Sequence, residues 1–192
     1  MTRVSAALFF GLLLLAAIWI LRAQLLTTDL PTHSAITQSD FAGTDFETSK
    51  GLPYTYESLL GHVTVAHVFF TSCPETCPVL VQRVKSVVTA FEPDQLKTFS
   101  LSVDPKRDTR EALETYAAKR GLESAHWEFV CGPKESVGKF VLKAFKLGLG
   151  ETPDLHSTHL VLIDKQAQIR GYYRSSEAEE LERLKADIAK LL

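Results

Sequence analysis

"HVTVAHVFFTSCPETCPVLVQRVKSVVTAF", residues 62–91, changes periodicity half-way along, and two cysteines mark the change. Residues 62–70 are a valine- and phenylalanine-rich apolar run, which predicts a buried strand. From Pro78 onward, Leu80, Val84, Val87, Val88 and Phe91 recur at helical spacing, and proline suits a first helical turn. Cys73 and Cys77 thus stand between a strand end and a helix start. A helix N-terminus favours negative charge and so stabilises a thiolate, which gives chemistry at this spot a physical motive. Cysteines four apart at a helical start share one face, with Cα atoms about 6 Å apart. That separation permits a disulfide. It also lets two thiolates share one soft cation.

The same alternation continues on either side. Residues 96–104 predict a second strand. Asp108 and Glu111 are spaced as a capping box for a helix over 109–120 that stops at Gly121. Residues 126–132 predict a third strand, 134–149 an amphipathic helix, 158–173 a hairpin around "DKQAQ", and 176–191 a closing helix. Strand–helix–strand units followed by a hairpin and a helix predict an α/β protein of thioredoxin-like fold, with a mixed central sheet flanked by helices.

The N-terminus has a different character. Val4–Leu21 carries no charge, and eighteen residues at helical rise reach about 27 Å, enough for a transmembrane helix with slight thinning of the bilayer. A cleaved signal is the rival reading, but the run ends in bulky "IWILRAQLL" rather than a small-x-small site. The expected division is a membrane anchor over 1–24, a polar linker over 25–40 and a domain over 41–192. Arg3 favours a cytoplasmic N-terminus, and Arg22 on the far side weakens that bias. The domain is then expected on the extracytoplasmic, periplasmic side of a bacterial inner membrane, where disulfides are permitted. An Arg/Ser-rich transit peptide is absent, which favours bacterial over mitochondrial placement. From Asp29 onward there are 19 basic against 23 acidic residues, so no basic face for nucleic acid is implied.

A structural staple is the weak explanation for the cysteine pair, because its loop is so short that it constrains little of the unfolded chain. A redox couple needs the two cysteines alone; a metal site needs a third ligand. His33 falls in the linker, and His62 and His126 at strand edges. His67 lies inside the apolar strand, where a satisfied core histidine is the plain reading. His156 and His159, in "TPDLHSTHLVLID", remain: His156 sits in the loop before a strand that such a fold lays against the cysteines, and His159 at the strand itself. Cys131 reads as a buried, unreactive thiol. Asp108 is expected as a helix N-cap, Arg107 as an ion-pair partner, Glu75 as exposed, and Asp104 as facing the edge of the site, where it could orient a ligand.

Three blocks resemble the SCO/SenC family of membrane-anchored, thioredoxin-like proteins associated with copper delivery to cytochrome c oxidase. They are "FFTSCPETCP" (69–78), "SVDPKRDTR" (102–110) and "HSTHLVLID" (156–164). Arg110 stands where the family has proline, and Leu155 where it often has aspartate. The resemblance implies one copper ion, Cu(I) or Cu(II), on Cys73, Cys77 and His156. It also implies, as partners, a copper-accepting subunit of the oxidase or another cuproprotein, and other copper chaperones. The competing function is a membrane-anchored thiol–disulfide oxidoreductase that uses Cys73 and Cys77 alone to reduce a cuproprotein partner. His156 separates the two, since a reductase has no need of it.

Overall fold

The computed structural model describes residues 30–92, 94–124, 126–148 and 158–192. In chain order the elements are β1 (Ser34–Ala35), α1 (Gln38–Phe41), β2 (Glu47–Thr48), a 3₁₀ turn (Tyr56–Ser58), β3 (Val63–Phe69), α2 (Thr76–Val88), β4 (Leu96–Ser102), α3 (Arg110–Arg120), β5 (Trp127–Cys131), α4 (Lys134–Lys143), β6 (His159–Ile163), β7 (Gln168–Arg174) and α5 (Ala178–Leu191). The strands form one mixed sheet in the order β1-β7-β6-β3-β4-β5-β2. β3, β4 and β5 run parallel, and the remaining pairings are antiparallel.

β3 is the central strand, and all seven of its residues are buried. That explains its unbroken apolar composition: a parallel strand covered on both faces has no solvent side to make polar. Successive side chains point to opposite faces. Ala66 and Val68, with Phe99 and Leu101 of β4, face a core built from α1 and α4, where Phe41, Phe46, Phe140 and Phe145 gather. Phe69 faces the other way and meets Tyr116 of α3, with ring centroids 5.4 Å apart. The crossovers β3–α2–β4 and β4–α3–β5 advance in the same direction along the sheet, so right-handed connections put α2 and α3 on the same face. Cys77, Leu80, Val81, Val84 and Val87 form the buried stripe of α2, and α5 packs against this helix.

Several expected boundaries move. Ser34 and Ala35, within the stretch expected as a linker, pair with Ile169 and Gln168 as an edge strand, and Ile36 behind them is buried. The compact unit accordingly begins at Pro31. The helix expected over 134–149 stops at Lys143: Lys146 has a φ of 55°, and Phe145 and Leu147 turn back into the core. α3 ends as predicted on Gly121, which is left-handed and donates to Ala117 and Ala118 carbonyls. Its N-cap differs from expectation. Thr109, not Asp108, caps the helix, its hydroxyl accepting from the Ala112 amide at 3.3 Å.

Among the described residues no helix is long and apolar enough to cross a membrane. The anchor expected over 1–24, with its apolar run Val4–Leu21, lies outside them.

Candidate metal centre

β3 and the start of α2 frame the cysteines. After Phe69 the chain turns through Phe70–Glu75, with the Cys73 amide donating to the Phe70 carbonyl at 3.4 Å. α2 then opens with an uncapped Glu75, whose side chain makes no capping hydrogen bond. The first amides of a helix need acceptors from elsewhere. Pro78 has none to offer, and the Cys77 amide donates to Cys73 Sγ at 3.2 Å. The Cys73 sulfur therefore takes the place a capping oxygen would occupy.

The two cysteines differ. Cys73 is 8% exposed and Cys77 fully buried. Burial pushes the Cys77 thiol up to about 12, against an opposing hydrogen bond from the Phe70 backbone, with Cys73 and Asp108 adding to the rise. No disulfide joins Cys73 to Cys77. Two adjacent soft sulfurs fit a soft, thiophilic ion such as Cu(I). Among the described residues no group of three histidine, cysteine or acidic side chains could hold a metal. His156, the expected third ligand, lies outside the described residues.

The other candidates fall as follows. His67 is fully buried and meets Ser100 Oγ through Nε2 at 3.2 Å, while Trp127 Nε1 donates to the same hydroxyl at 2.8 Å. It is a core histidine, as its sequence context suggests. His159 opens β6 opposite Arg174. His33 is exposed beside the Tyr172 ring, and His62 and His126 are half-buried at the far ends of β3 and β5 from the cysteines. Glu75 is exposed. Cys131 is buried at the end of β5, separated from β3 by β4, and its thiol donates to the Glu47 carbonyl at 3.8 Å. Asp104 is buried and paired at 2.5 Å with Arg107 Nε, and its carbonyl accepts the Arg107 and Asp108 amides.

Asp108 is the residue that sequence reasoning misplaced. Instead of capping α3 it reaches back to the cysteine loop. It accepts from the Thr71 amide at 3.1 Å, from the Thr71 hydroxyl and from Ser102 Oγ at 2.5 Å. Thr71 lies 37 positions away in the chain, so no local pattern could reveal the contact.

With the fold and the cysteine pair in place, comparison with known proteins is decisive. The SCO1/SenC family profile matches residues 32–192. The chain belongs to the SCO1/SenC family. It is 26% identical over 150 residues to the SCO1 protein homolog of Bacillus subtilis, spanning 74% of this chain and 78% of that one. Among solved structures, BsSco, a member of the Sco family of cytochrome c oxidase assembly proteins in which a disulfide switch was identified, superimposes with a TM-score of 0.72 at 22% identity, covering 85% of this chain and 95% of that one. Copper-bound ScoI of Bradyrhizobium japonicum superimposes with a TM-score of 0.63 at 22% identity, covering 79% and 99%. These likenesses establish the thioredoxin-like Sco fold for this chain.

Proposed function

We propose that this chain is a copper metallochaperone that delivers copper to the CuA site of cytochrome c oxidase during its assembly. One ion is held by Cys73, Cys77 and His156. The observation that carries this reading is the cysteine pair at a helix start, where the Cys77 amide donates to Cys73 Sγ at 3.2 Å and the two side chains interact. Family membership and the copper-bound ScoI structure support it.

Loading removes a proton from each thiol, so copper uptake competes with protons. Two thiolates and one neutral imidazole leave the coordination shell open, unlike the closed four-ligand shell of a structural zinc site. An open shell lets a partner's ligand enter before one of the carrier's leaves. Cys73, the more accessible sulfur, is the point of entry, and buried Cys77 keeps hold of the ion until transfer.

The second reading, a thiol–disulfide oxidoreductase, draws on the same asymmetry and on the disulfide switch of BsSco. The Cys73 thiolate attacks a partner disulfide, forming a mixed disulfide and releasing one partner thiolate. Cys77 then attacks Cys73 sulfur, leaving a reduced partner and a Cys73–Cys77 disulfide, with two electrons passed to the partner. In either reading the chain is proposed as anchored through residues 1–24 in a bacterial inner membrane, with its domain on the periplasmic side.

The test is an anaerobic Cu(I) titration of the reduced, metal-free chain against a competing chelator. One tight equivalent is expected, lost in Cys73→Ala and Cys77→Ala and strongly weakened in His156→Ala, which still forms the disulfide. Unchanged copper affinity in His156→Ala, with loss in His159→Ala, would overturn the ligand set. Rapid disulfide reduction by a chain that never retains copper would favour the oxidoreductase.

A further inference from the structure

The loop that carries Cys73 is fastened by a buried negative charge. Asp108 is 1% exposed and accepts from the Thr71 amide, the Thr71 hydroxyl and the Ser102 hydroxyl. Three donors around one carboxylate is the pattern of an ionised, acceptor-only group. Among the described residues no cation forms an ion pair with it. The neighbouring arginines are engaged elsewhere, Arg107 with Asp104 and Arg110 with Glu47 and Glu111. A buried charge is ordinarily paired or used to coordinate a metal. Thr71 stands two residues before Cys73, so their Cα atoms are at most about 7 Å apart. Burial is the main cause that pushes the Cys77, Tyr116 and Cys131 side chains up, and Asp108 adds a smaller push in the same direction at each.

We propose that Asp108 is a positioning residue whose fixed charge makes the Cys73–Cys77 site favour a doubly charged copper ion over a singly charged one. The inference rests on the copper reading above. At a given distance the attraction of a fixed carboxylate doubles as the cation's charge goes from one to two. Inside the protein that difference is screened much less than at the surface. The same carboxylate also fixes the loop through Thr71, so charge and shape are separable by mutation. Asp108→Asn keeps the outline and removes the charge; Thr71→Val keeps the charge and removes one hydrogen bond.

The experiment titrates the full chain, reduced and metal-free, with Cu(I) and with Cu(II) anaerobically, in wild type and both variants, and measures the Cu(II)/Cu(I) midpoint potential of the loaded forms. Asp108→Asn is expected to lower Cu(II) affinity about tenfold more than Cu(I) affinity, which raises the midpoint by about 59 mV. Thr71→Val is expected to lower both affinities together and leave the midpoint in place. Asp108→Ser serves as a second charge-removing variant if the asparagine form does not fold, and Asp108→Glu should retain the wild-type midpoint. An unchanged midpoint in the neutral variants, with wild-type copper binding intact, overturns this inference alone. A wild-type chain that holds neither ion overturns the copper reading and this inference with it.

Discussion

The two faces of the sheet are built from different materials. On the face covered by α1 and α4, Phe41, Phe46, Tyr54, Phe99, Phe140 and Phe145 interlock. Phe140 alone has ring partners at 4.8 Å (Phe41), 5.2 Å (Phe46), 6.1 Å (Phe99) and 5.1 Å (Phe145). On the face covered by α2 and α3, hydrophobic residues share the interior with His67, Ser100, Ser102, Asp108, Tyr116 and the cysteine pair. Aromatic clusters contribute stability through buried area and ring geometry. Buried polar groups contribute little net stability but fix particular atoms in place. The comparison assigns the chemistry to one face, where Phe69, Trp127 and Phe129 also pack ring on ring, and the larger share of the aromatic packing to the other, through a sheet only one strand layer thick.

The strongest way to break this assignment is Phe140→Ala. Loss of a buried phenylalanine costs about 3–5 kcal/mol. Urea denaturation should show that loss, while the Cys73/Cys77 pair of the folded fraction keeps its wild-type rate of reaction with an alkylating agent. A site that lost its reactivity in step with stability would show the two faces to be one unit. A smaller effect is expected from Trp127→Phe on the polar face. It removes the indole donor to Ser100 but leaves that hydroxyl its contact with His67. The cost should be about 1 kcal/mol by denaturation. A loss as large as that of Phe140→Ala would mean that the polar face also carries the stability.

The sequence pattern exposed these faces unequally. β3 was legible as an unbroken apolar run, α2 from an apolar stripe repeated at helical spacing, and α3 from the residues at its two ends. β1 and β2, of two residues each, are too short for any period and are defined by their partners Ile169 and Cys131, far along the chain. The cysteine pair was legible because its two members are local. The role of Asp108 was not. A capping box starting at Asp108 and a cap at Thr109 look alike in sequence, and the choice depends on Thr71, which is near only after β3 and β4 have paired. The overrun of α4 has a similar cause: Lys146 is a good helix former, and tertiary packing of Phe145 and Leu147 overrides that propensity.

The smallest stability effect at neutral pH, and the sharpest test of the polar face, is expected from Tyr116→Phe. The Tyr116 hydroxyl is buried and has no hydrogen-bond partner among the described residues, while the Arg120 guanidinium lies over the ring at 3.7 Å from its centroid. A buried polar group left unpaired is a cost, so its removal should leave stability unchanged or raise it by about 1 kcal/mol. The pH dependence carries more information. Burial is the first cause that raises the phenol to about 12, with Arg120 opposing and Cys77, Cys73 and Asp108 adding to the rise. The folded state therefore holds this proton more tightly than the unfolded chain, whose phenol titrates near 10. The resulting contribution is fully present below pH 10 and is lost as pH rises toward about 12. Urea denaturation of the metal-free chain at pH 8 and at pH 11, in wild type and Tyr116→Phe, isolates it. Wild type should lose more stability over that interval than the variant. Equal losses would mean that the hydroxyl meets water when the protein is folded, and the polar face would then be open to solvent at α3.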